Sequence, residues 1–304
     1  MNYGVLGSAV EAIGGTPMVE LARISRASGG RILAKLEFLN PGYSKKDRIA
    51  RQIVEDAEGD GSLGPGQTVV ELTSGNTGTG LAIVCAVKGH PFVAVMSRGN
   101  SAERARMMRA LGAEVVLVDQ AESSRAGQVS GRDLELVEEA AQRITRERGA
   151  FRADQFRHAG NFRAHYLHTG PEIWEQTGGV FDAFCDFAGT GGTFAGCAAV
   201  FRERGSRAKC YLLEPSSEQH RIQGGGYAME LPLLERGRPD GTLTITDEEA
   251  MECARRLARE EGIFAGFSSG ANVAAGLRLA AGGKTVVTVI NDSGLKYLTT
   301  DLWE

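Results

Sequence analysis

The sequence has no apolar run approaching the roughly 18 residues that a membrane-spanning helix needs. Its N-terminus also lacks a charged segment followed by an apolar one, so neither a membrane span nor a secretory signal peptide is predicted. Positive charge is not in excess, since 34 Lys and Arg residues face 38 Asp and Glu residues and the net charge is −4. Nucleic acid and anionic membranes are therefore not predicted as partners.

Cysteine is scarce, and no two cysteines form a CxxC pair. The five cysteines are Cys85, Cys185, Cys197, Cys210 and Cys253. An odd number of isolated cysteines indicates reduced thiols in the core and a cytoplasmic location. His165 and His168 are close together on one segment, but no further ligand type accompanies them, so no metal is predicted.

Glycine, by contrast, is abundant at 41 residues, and most glycines separate short Val-rich segments from amphipathic ones. The predicted strands are 31–39, 67–72, 91–97, 113–119, 181–189, 208–215 and 283–292. The predicted helices are 46–61, 77–89, 101–112, 193–205 and 247–262, with a further helix at 134–148 expected to bridge two sheets. This alternation predicts an α/β fold of two halves, each a mostly parallel sheet covered on both faces. We expect the active site in the cleft between them, beyond the carboxyl ends of the strands.

The segment GTGGT, residues 189–193, follows a predicted strand and opens a predicted helix. Its glycines allow close backbone approach, and the N–H groups of a helix start favour a phosphate; the alternative is a tight turn with no ligand. A dinucleotide site also stays open, because Glu214 lies about 20 residues further on, as a ribose-binding acid would. Phe194, however, breaks the strict G-x-G-x-x-G pattern.

Two further polar segments stand before helices: TSGNTG at 73–78 and GFSSGAN at 266–272. The first has hydroxyl and amide groups that suit a small anion such as a carboxylate, although a helix cap alone would explain it. The second offers serine hydroxyls, which are also common caps.

Lys45 and Lys46 stand side by side at the predicted start of a helix, where the helix dipole disfavours cations. Either they form a solvated basic patch, or one of them is a buried neutral amine able to form a Schiff base with an aldehyde. A lysine for an aldehyde, a glycine loop for a phosphate and a serine for a ring nitrogen together match pyridoxal phosphate. The remaining polar loop would take the carboxylate of an amino-acid substrate.

In this order and spacing the segments resemble the cysteine synthase/cystathionine β-synthase group of fold type II pyridoxal-phosphate enzymes. The matching segments are GGTPMVEL, NPGYSKKDRIA, ELTSGNTGTGLA, MMRALGAEVVL, HTGPEIWEQTGG, GTGGTFAG, HRIQGGG, LAREEGIFAGFSSGAN and NDSGLKY. The resemblance runs nearly end to end. It implies two three-layer α/β domains, the smaller at 41–150 and the larger formed by 1–40 and 151–304. It further implies a homodimer.

The resemblance also assigns residues. The catalytic Schiff-base lysine falls on Lys46, whereas Lys45 occupies a variable position and is expected to be ordinary. The contact to the cofactor's ring hydroxyl falls on Asn76, and the pyridine-nitrogen partner falls on Ser268. The phosphate cup falls on Gly189, Thr190, Gly191, Gly192 and Thr193. The substrate carboxylate site falls on Thr73, Ser74, Gly75, Asn76 and Thr77, with Gln155 as a further contact.

The implied activity is β-replacement on an O-activated serine-type amino acid through an aminoacrylate intermediate, with a small nucleophile as second substrate. A serine at the pyridine nitrogen favours this chemistry, because a hydroxyl cannot hold that nitrogen protonated as a carboxylate would. An elimination-only ammonia-lyase or dehydratase is the alternative, and a non-catalytic binding protein is a third possibility. Tyr43 stands where the family usually has Gly, Asp154 where Asn is usual, and the segments 120–137 and 223–232 also depart from its pattern. These departures predict a specialised leaving group or nucleophile.

Overall fold

A computed structural model describes residues 4–124, 129–226 and 230–304. The strands are β1 Met18–Glu20, β2 Arg31–Leu36, β3 Val69–Leu72, β4 Phe92–Ser97, β5 Glu114–Val118, β6 Phe151–Arg152, β7 Ala183–Phe187, β8 Lys209–Pro215, β9 Gly241–Ile245 and β10 Thr285–Ile290. The helices are α1 Lys46–Asp60, α2 Asn76–Lys88, α3 Ala102–Ala110, α4 Gly131–Arg148, α5 Ala159–Ala164, α6 Gly170–Thr177, α7 Gly192–Glu203, α8 Asp247–Glu261 and α9 Phe267–Ala280.

These strands form two sheets. One has four strands in the order β5-β4-β3-β6 and is parallel throughout. The other has six strands in the order β1-β2-β10-β7-β8-β9, in which only the pairing of β1 with β2 is antiparallel. The predicted α/β class with mostly parallel sheets is confirmed.

Alternating residues of the central strands face two different cores, because side chains of a strand point to opposite faces. In the four-stranded sheet, Val69 and Ala94 belong to the core shared with α1 and α2. Their neighbours Val70 and Val95 belong to the core shared with α4. The Val-rich sequence of these strands thus reflects a sheet that is buried on both faces, as expected for parallel sheets.

The six-stranded sheet is built in the same way. Ile32 and Val286 face the core that contains α8 and α9, whereas Phe184 and Val287 face the core that contains α7 and Ile173 of α6. Each sheet is therefore the middle of three layers.

The expectation that the helix at 134–148 bridges the two sheets is wrong. This helix is α4, and its main contacts are with β3, β4, β5 and β6 of the four-stranded sheet. Its amphipathic pattern is satisfied by a single sheet, since Val137, Ala141 and Ile144 all lie in the core on that face.

The sequence patterns do not predict several short elements: β1, β6, β9 and the helical segment 159–177. The last consists of α5, a π-helical turn at His165–Thr169 and α6. The strands β3 to β6 all come from residues 69–152, and the other six come from 18–36 and 183–290. Strand β6 lies just past the predicted domain boundary at 150, and the boundary itself stays a prediction. Within the described ranges, no helix is long and apolar enough to cross a membrane.

Two glycines of α9 give a matched test of the packing of α8 against α9. A Cβ at Gly270 would lie 1.9 Å from the carbonyl oxygen of Ala250 in α8, and backbone cannot yield as a side chain can. Gly270→Ala should therefore destabilise the protein by about 2–3 kcal/mol. At Gly276 the nearest atom would be the Ile32 Cδ1 at 3.3 Å, so Gly276→Ala should be neutral or should stabilise by up to about 1 kcal/mol. Urea unfolding measures both; equal effects would contradict this packing.

Candidate active site

A cavity opens where strands of both sheets end. Its lining residues are Lys46, Leu72, Ser74, Asn76, Thr77, Arg104, Leu134, Gln155, Phe156, Thr190 and Gly224. The carboxyl ends of β3, β6 and β7 each lead into this set, as the crevice rule for parallel sheets requires. Six residues predicted for the site thus line one cavity: Lys46, Ser74, Asn76, Thr77, Gln155 and Thr190.

Lys46 is the first residue of α1, and only 8% of it is exposed. Its Nζ lies 3.3 Å from the Thr190 hydroxyl, the one hydrogen-bond partner found for this amine in the described structure. Burial lowers the pKa of the amine to about 7, and the charge of Lys45 lowers it as well, while Asp186 and Glu71 oppose them. Near neutral pH part of this amine is therefore unprotonated and able to attack a carbonyl carbon.

Lys45 is not an ordinary surface lysine, and that expectation is wrong. It is 7% exposed, and its Nζ lies 2.8 and 3.0 Å from the two carboxylate oxygens of Asp186 at the end of β7. Asn272 donates a further hydrogen bond to the same carboxylate. The pair places a fixed cation beside Lys46, which explains part of the lowered pKa of the Lys46 amine.

The loop 189–193 is shaped by glycine. Gly191 has φ of +82°, a left-handed conformation that glycine adopts without strain. A Cβ at Gly192 would lie 2.0 Å from the Asn161 Oδ1, and one at Gly189 would lie 3.8 Å from the Lys46 Nζ. Helix α7 begins here, so its first N–H groups have no partner within the helix and point toward the loop.

The hydroxyls of this loop are held by buried neighbours. The Thr190 Oγ1 accepts hydrogen bonds from Asn161 at 2.7 Å and from Lys46 at 3.3 Å, which leaves its own O–H free to donate. The Thr193 Oγ1 lies 3.2 Å from the Nε2 of His165, whose Nδ1 is 2.9 Å from the Thr169 hydroxyl. Burial holds the pKa of His165 well below its usual value, so the ring is neutral. His165 is thus a support of the loop, and it was not predicted as a site residue.

The TSGNTG loop is preorganised by its own first residue. The Thr73 Oγ1 accepts hydrogen bonds from the N–H groups of Gly75 and Gly78, at 2.9 and 3.0 Å. Thr77 donates to the Gln155 Oε1 at 2.5 Å, and the Gln155 amide nitrogen donates to the Leu72 carbonyl. The loop and Gln155 therefore form one hydrogen-bonded unit.

Arg104 of α3 supports the same loop, although the sequence does not single it out. It donates to the Ser74 carbonyl at 2.9 Å and to the Gln223 side chain at 2.7 Å. It therefore links the loop after β3 to the segment that follows β8.

Ser268 lies in the first turn of α9 and is 6% exposed. Its Oγ accepts a hydrogen bond from the Asn291 amide at 3.1 Å, so its own hydrogen can point to another acceptor. The Asn291 carbonyl accepts from the Lys45 backbone N–H at 2.9 Å. Ser268 is thereby tied to the start of the lysine helix, although it is not among the residues that line the cavity.

Two of the departures from the family's pattern lie at positions where the backbone has a positive φ. Tyr43 and Asp154 have φ of +62° and +42°, a region that glycine and asparagine occupy more readily than other residues. Tyr43 is 46% exposed, beside the turn that precedes Lys46. Parts of the two other departing segments, 125–128 and 227–229, lie outside the described residues.

This arrangement fits an aldehyde-bearing phosphate cofactor. It offers a buried amine of lowered pKa, a glycine loop with hydroxyl and N–H donors, and a serine hydroxyl able to donate to a ring nitrogen. In the part of the chain that the structure covers, no group of three or more His, Cys, Asp or Glu side chains is arranged to hold a metal. The fold and the site together define a pyridoxal-phosphate enzyme.

Comparisons with known proteins agree. Residues 10–292 match the family described as pyridoxal-phosphate dependent enzyme. Cysteine synthase 3 of Caenorhabditis elegans is 39% identical over 96% of this chain and 88% of its own. Cysteine synthase of Staphylococcus aureus is 38% identical over 96% of both chains.

Solved structures are similar over almost the whole chain. O-ureido-L-serine synthase superposes with a TM-score of 0.90 at 36% identity, covering 99% of this chain and 96% of that one. O-acetyl serine sulfhydrylase isoform 3 of Entamoeba histolytica gives a TM-score of 0.91 at 34% identity, and the superposition covers 100% of this chain and 93% of that one. The chain belongs to the pyridoxal-phosphate-dependent enzyme family, within its cysteine synthase group. The predicted cofactor and the predicted class of β-replacing enzyme are confirmed.

The lowered pKa of the Lys46 amine predicts how the apoprotein takes up pyridoxal phosphate. The rate of visible absorbance growth should rise with pH through about 7 and then level off, because the amine is unprotonated above its pKa. Stopped-flow absorbance between about pH 5.5 and 11 measures this. A midpoint near 10, typical of a solvated lysine, would contradict the buried environment.

Variants of the Lys45–Asp186 pair test whether the charge of Lys45 contributes to the lowered pKa of the Lys46 amine. Lys45→Met removes a cation and leaves the Asp186 carboxylate unpaired, and both changes raise the pKa of Lys46, so the midpoint should move upward. It should also cost about 3 kcal/mol of stability, since a buried charge loses its partner. Lys45→Met combined with Asp186→Leu removes both charges and should return the midpoint close to that of the wild type.

Proposed function

We propose that the protein catalyses β-replacement on an O-activated serine-type amino acid, with a small nucleophile as second substrate. The observation that carries the proposal is the buried Lys46 amine facing Thr190 in a cavity that also contains the TSGNTG loop. When bound, pyridoxal phosphate supplies an aldehyde for this amine and a ring that withdraws electrons from the substrate's α-carbon.

The proposed catalytic residue is Lys46. Once the amino group of the substrate displaces it, its Nζ is a neutral base on a side chain that is only 8% exposed. It then accepts the proton from the α-carbon, and Thr190, 3.3 Å away, stays within hydrogen-bond range of the resulting ammonium group. Loss of this proton expels the β-substituent, and a nucleophile then adds at the β-carbon while Lys46 returns the proton to the α-carbon.

The proposed cofactor-binding residues are Lys46, Asn76, Ser268 and the loop from Gly189 to Thr193. The proposed substrate-binding residues are Thr73 to Thr77 and Gln155. The support is that the loop from Thr73 is closed by internal hydrogen bonds and lies beside the amine, where N–H groups at the start of α2 face an anion favourably.

Ser268 supports β-replacement over amino-group transfer. Its hydroxyl donates a neutral hydrogen bond and cannot keep a pyridine nitrogen protonated, as an aspartate would. Electron withdrawal from the α-carbon is then moderate, which favours prompt loss of a β-substituent over a long-lived carbanion.

The relatives narrow the substrate class. Cysteine synthases are similar to this chain in sequence, and an O-acetyl serine sulfhydrylase and an O-ureido-L-serine synthase are similar to it in fold and sequence. Their names point to serine derivatives activated or substituted at the β-oxygen and to small sulfur or oxygen nucleophiles. A specialised nucleophile is supported by the similarity to O-ureido-L-serine synthase. Tyr43 is half exposed and is not among the residues that line the cavity, so it does not bear on the nucleophile.

We also propose a homodimer in the cytoplasm, with a smaller domain at 41–150 and a larger one formed by 1–40 and 151–304. The five cysteines are free and buried, which suits a reducing compartment. Tyr43, Leu295 and Leu298 are each about half exposed and offer apolar surface to a second copy.

Product analysis tests the activity. The loaded enzyme is incubated with O-acetyl-L-serine or O-phospho-L-serine, with and without sulfide, a thiol or a hydroxamate. Mass spectrometry should find a β-substituted alanine only when the nucleophile is present, with pyruvate as a slow by-product. Pyruvate formed at one rate with or without nucleophile would instead identify an elimination-only lyase.

A pair of lysine variants accompanies this assay. Lys46→Ala should lower turnover by about 10³-fold or more, because the proton carrier is lost. Lys88→Ala, which removes a partly exposed lysine paired with Glu58 at 2.7 Å, should leave turnover unchanged. Equal rates for the two variants would refute the role of Lys46.

A further inference from the structure

Lys296 is a buried lysine that has no role in the proposed mechanism. It lies in the 3-10 turn Gly294–Tyr297 and is 4% exposed. Its Nζ donates to the carbonyl oxygen of Gly42 at 2.8 Å and to the side-chain oxygen of Asn76 at 2.6 Å. A buried ammonium is costly unless it is well paired, so its position requires an explanation.

The partners of Asn76 fix the orientation of its amide. Its nitrogen donates to the Asp292 carboxylate at 2.8 Å, and the Tyr297 hydroxyl donates to the same carboxylate oxygen at 2.6 Å. A lysine has only donors and an ionised carboxylate has only acceptors, so the amide oxygen must face Lys296 and the nitrogen must face Asp292. The usual ambiguity of an asparagine side chain is thereby removed.

This orientation determines what Asn76 can offer to a ligand. Its oxygen is engaged by a cation, whereas its nitrogen has a second hydrogen beyond the one given to Asp292. Asn76 lines the same cavity as Lys46. The group that it presents there is therefore an N–H donor, which favours the deprotonated form of an oxygen that it contacts.

We propose that Lys296 is a positioning residue that holds Asn76 with an N–H group toward the ring oxygen of pyridoxal phosphate, so that this oxygen stays deprotonated. The proposal rests on the proposed function, through the role of Asn76. By its second hydrogen bond, to Gly42, Lys296 also ties Asn76 to the turn that precedes Lys46. One side chain therefore sets the relative position of the amine and of the ring-oxygen donor.

Lys296→Met tests this role. It leaves the Asn76 oxygen and the Gly42 carbonyl without their donor, so the amide can turn its oxygen toward the ring. The apparent dissociation constant for pyridoxal phosphate, measured by equilibrium dialysis of the apoprotein, should rise about tenfold or more. In the loaded variant, absorbance should move from the visible band to the near-ultraviolet band that marks a protonated ring oxygen.

Lys35→Met is the matched control. The Lys35 amine is equally buried and also donates to a backbone carbonyl, Thr16 at 2.6 Å, and to a side-chain amide oxygen, Gln176 at 2.9 Å. It additionally pairs with the Glu172 carboxylate at 2.7 Å, so its loss tests the effect of removing a buried lysine at least as strongly bound as Lys296. It is not among the residues that line the cavity. Its loss should lower the melting temperature but leave cofactor affinity and the visible band unchanged. Lys296→Arg keeps the charge and donors and should retain most of the visible band.

The outcomes separate the two proposals. If the wild type takes up pyridoxal phosphate and Lys296→Met matches it in affinity and spectrum, the role of Lys296 is refuted and the proposed function stands. Equal changes in Lys35→Met would also refute it, because a general loss of stability would then explain both. If Lys296→Met does not fold, Lys296→Gln takes its place, because it keeps a shorter and uncharged donor. Its affinity for pyridoxal phosphate should fall by less than that expected for Lys296→Met. If Lys296→Gln bound the cofactor as tightly as the wild type, the proposal would be overturned. A wild type that takes up no cofactor would refute the proposed function itself.

Discussion

Exclusion of the Lys46 amine from water is the constraint on which the chemistry of this protein depends. In water the amine would be almost fully protonated at neutral pH, and it could neither attack an aldehyde nor accept a proton. Burial against the loop at Thr190 and the neighbouring charge of Lys45 lower its pKa to about 7. The two adjacent lysines thus have different tasks: Lys45 is held as a cation by Asp186, and Lys46 is available as a base.

The fold makes this burial possible because the elements around the amine come from both sheets. The loops after β3 and β6 supply Ser74, Asn76 and Gln155, while the loop after β7 supplies Thr190. Each of these loops is held by a buried partner. Arg104 and Lys296 bind Ser74 and Asn76 in the loop after β3, and Asn161 binds both the Gln155 carbonyl and Thr190. These hydrogen bonds hold the loops in place around the amine, which favours precise orientation of a reacting carbon.

Much of the fold and of the site could be predicted from the sequence, because the relevant signals are local. Val-rich strands alternating with amphipathic helices define parallel sheets, and the glycines at 189–192 and the TSGNTG segment mark loops at their carboxyl ends. Lys45, Lys296 and His165 could not be assigned in this way. The roles of Lys45 and Lys296 come from partners 141 and 254 residues away along the chain, and His165 supports the loop through Thr193, 28 residues away. No local pattern encodes such contacts. The placement of α4 was predicted wrongly for the same reason. An amphipathic stripe shows that a helix packs against another element, but it does not identify that element.

Reductive trapping followed by peptide mapping tests directly whether Lys46 is the amine that binds pyridoxal phosphate. The protein loaded with pyridoxal phosphate is treated with borohydride and digested, and the peptides are sequenced by mass spectrometry. The pyridoxyl mass should appear on Lys46 alone, with Lys45 and Lys296 unmodified although both are buried. Modification of Lys45 or Lys296 in place of Lys46 would contradict this assignment.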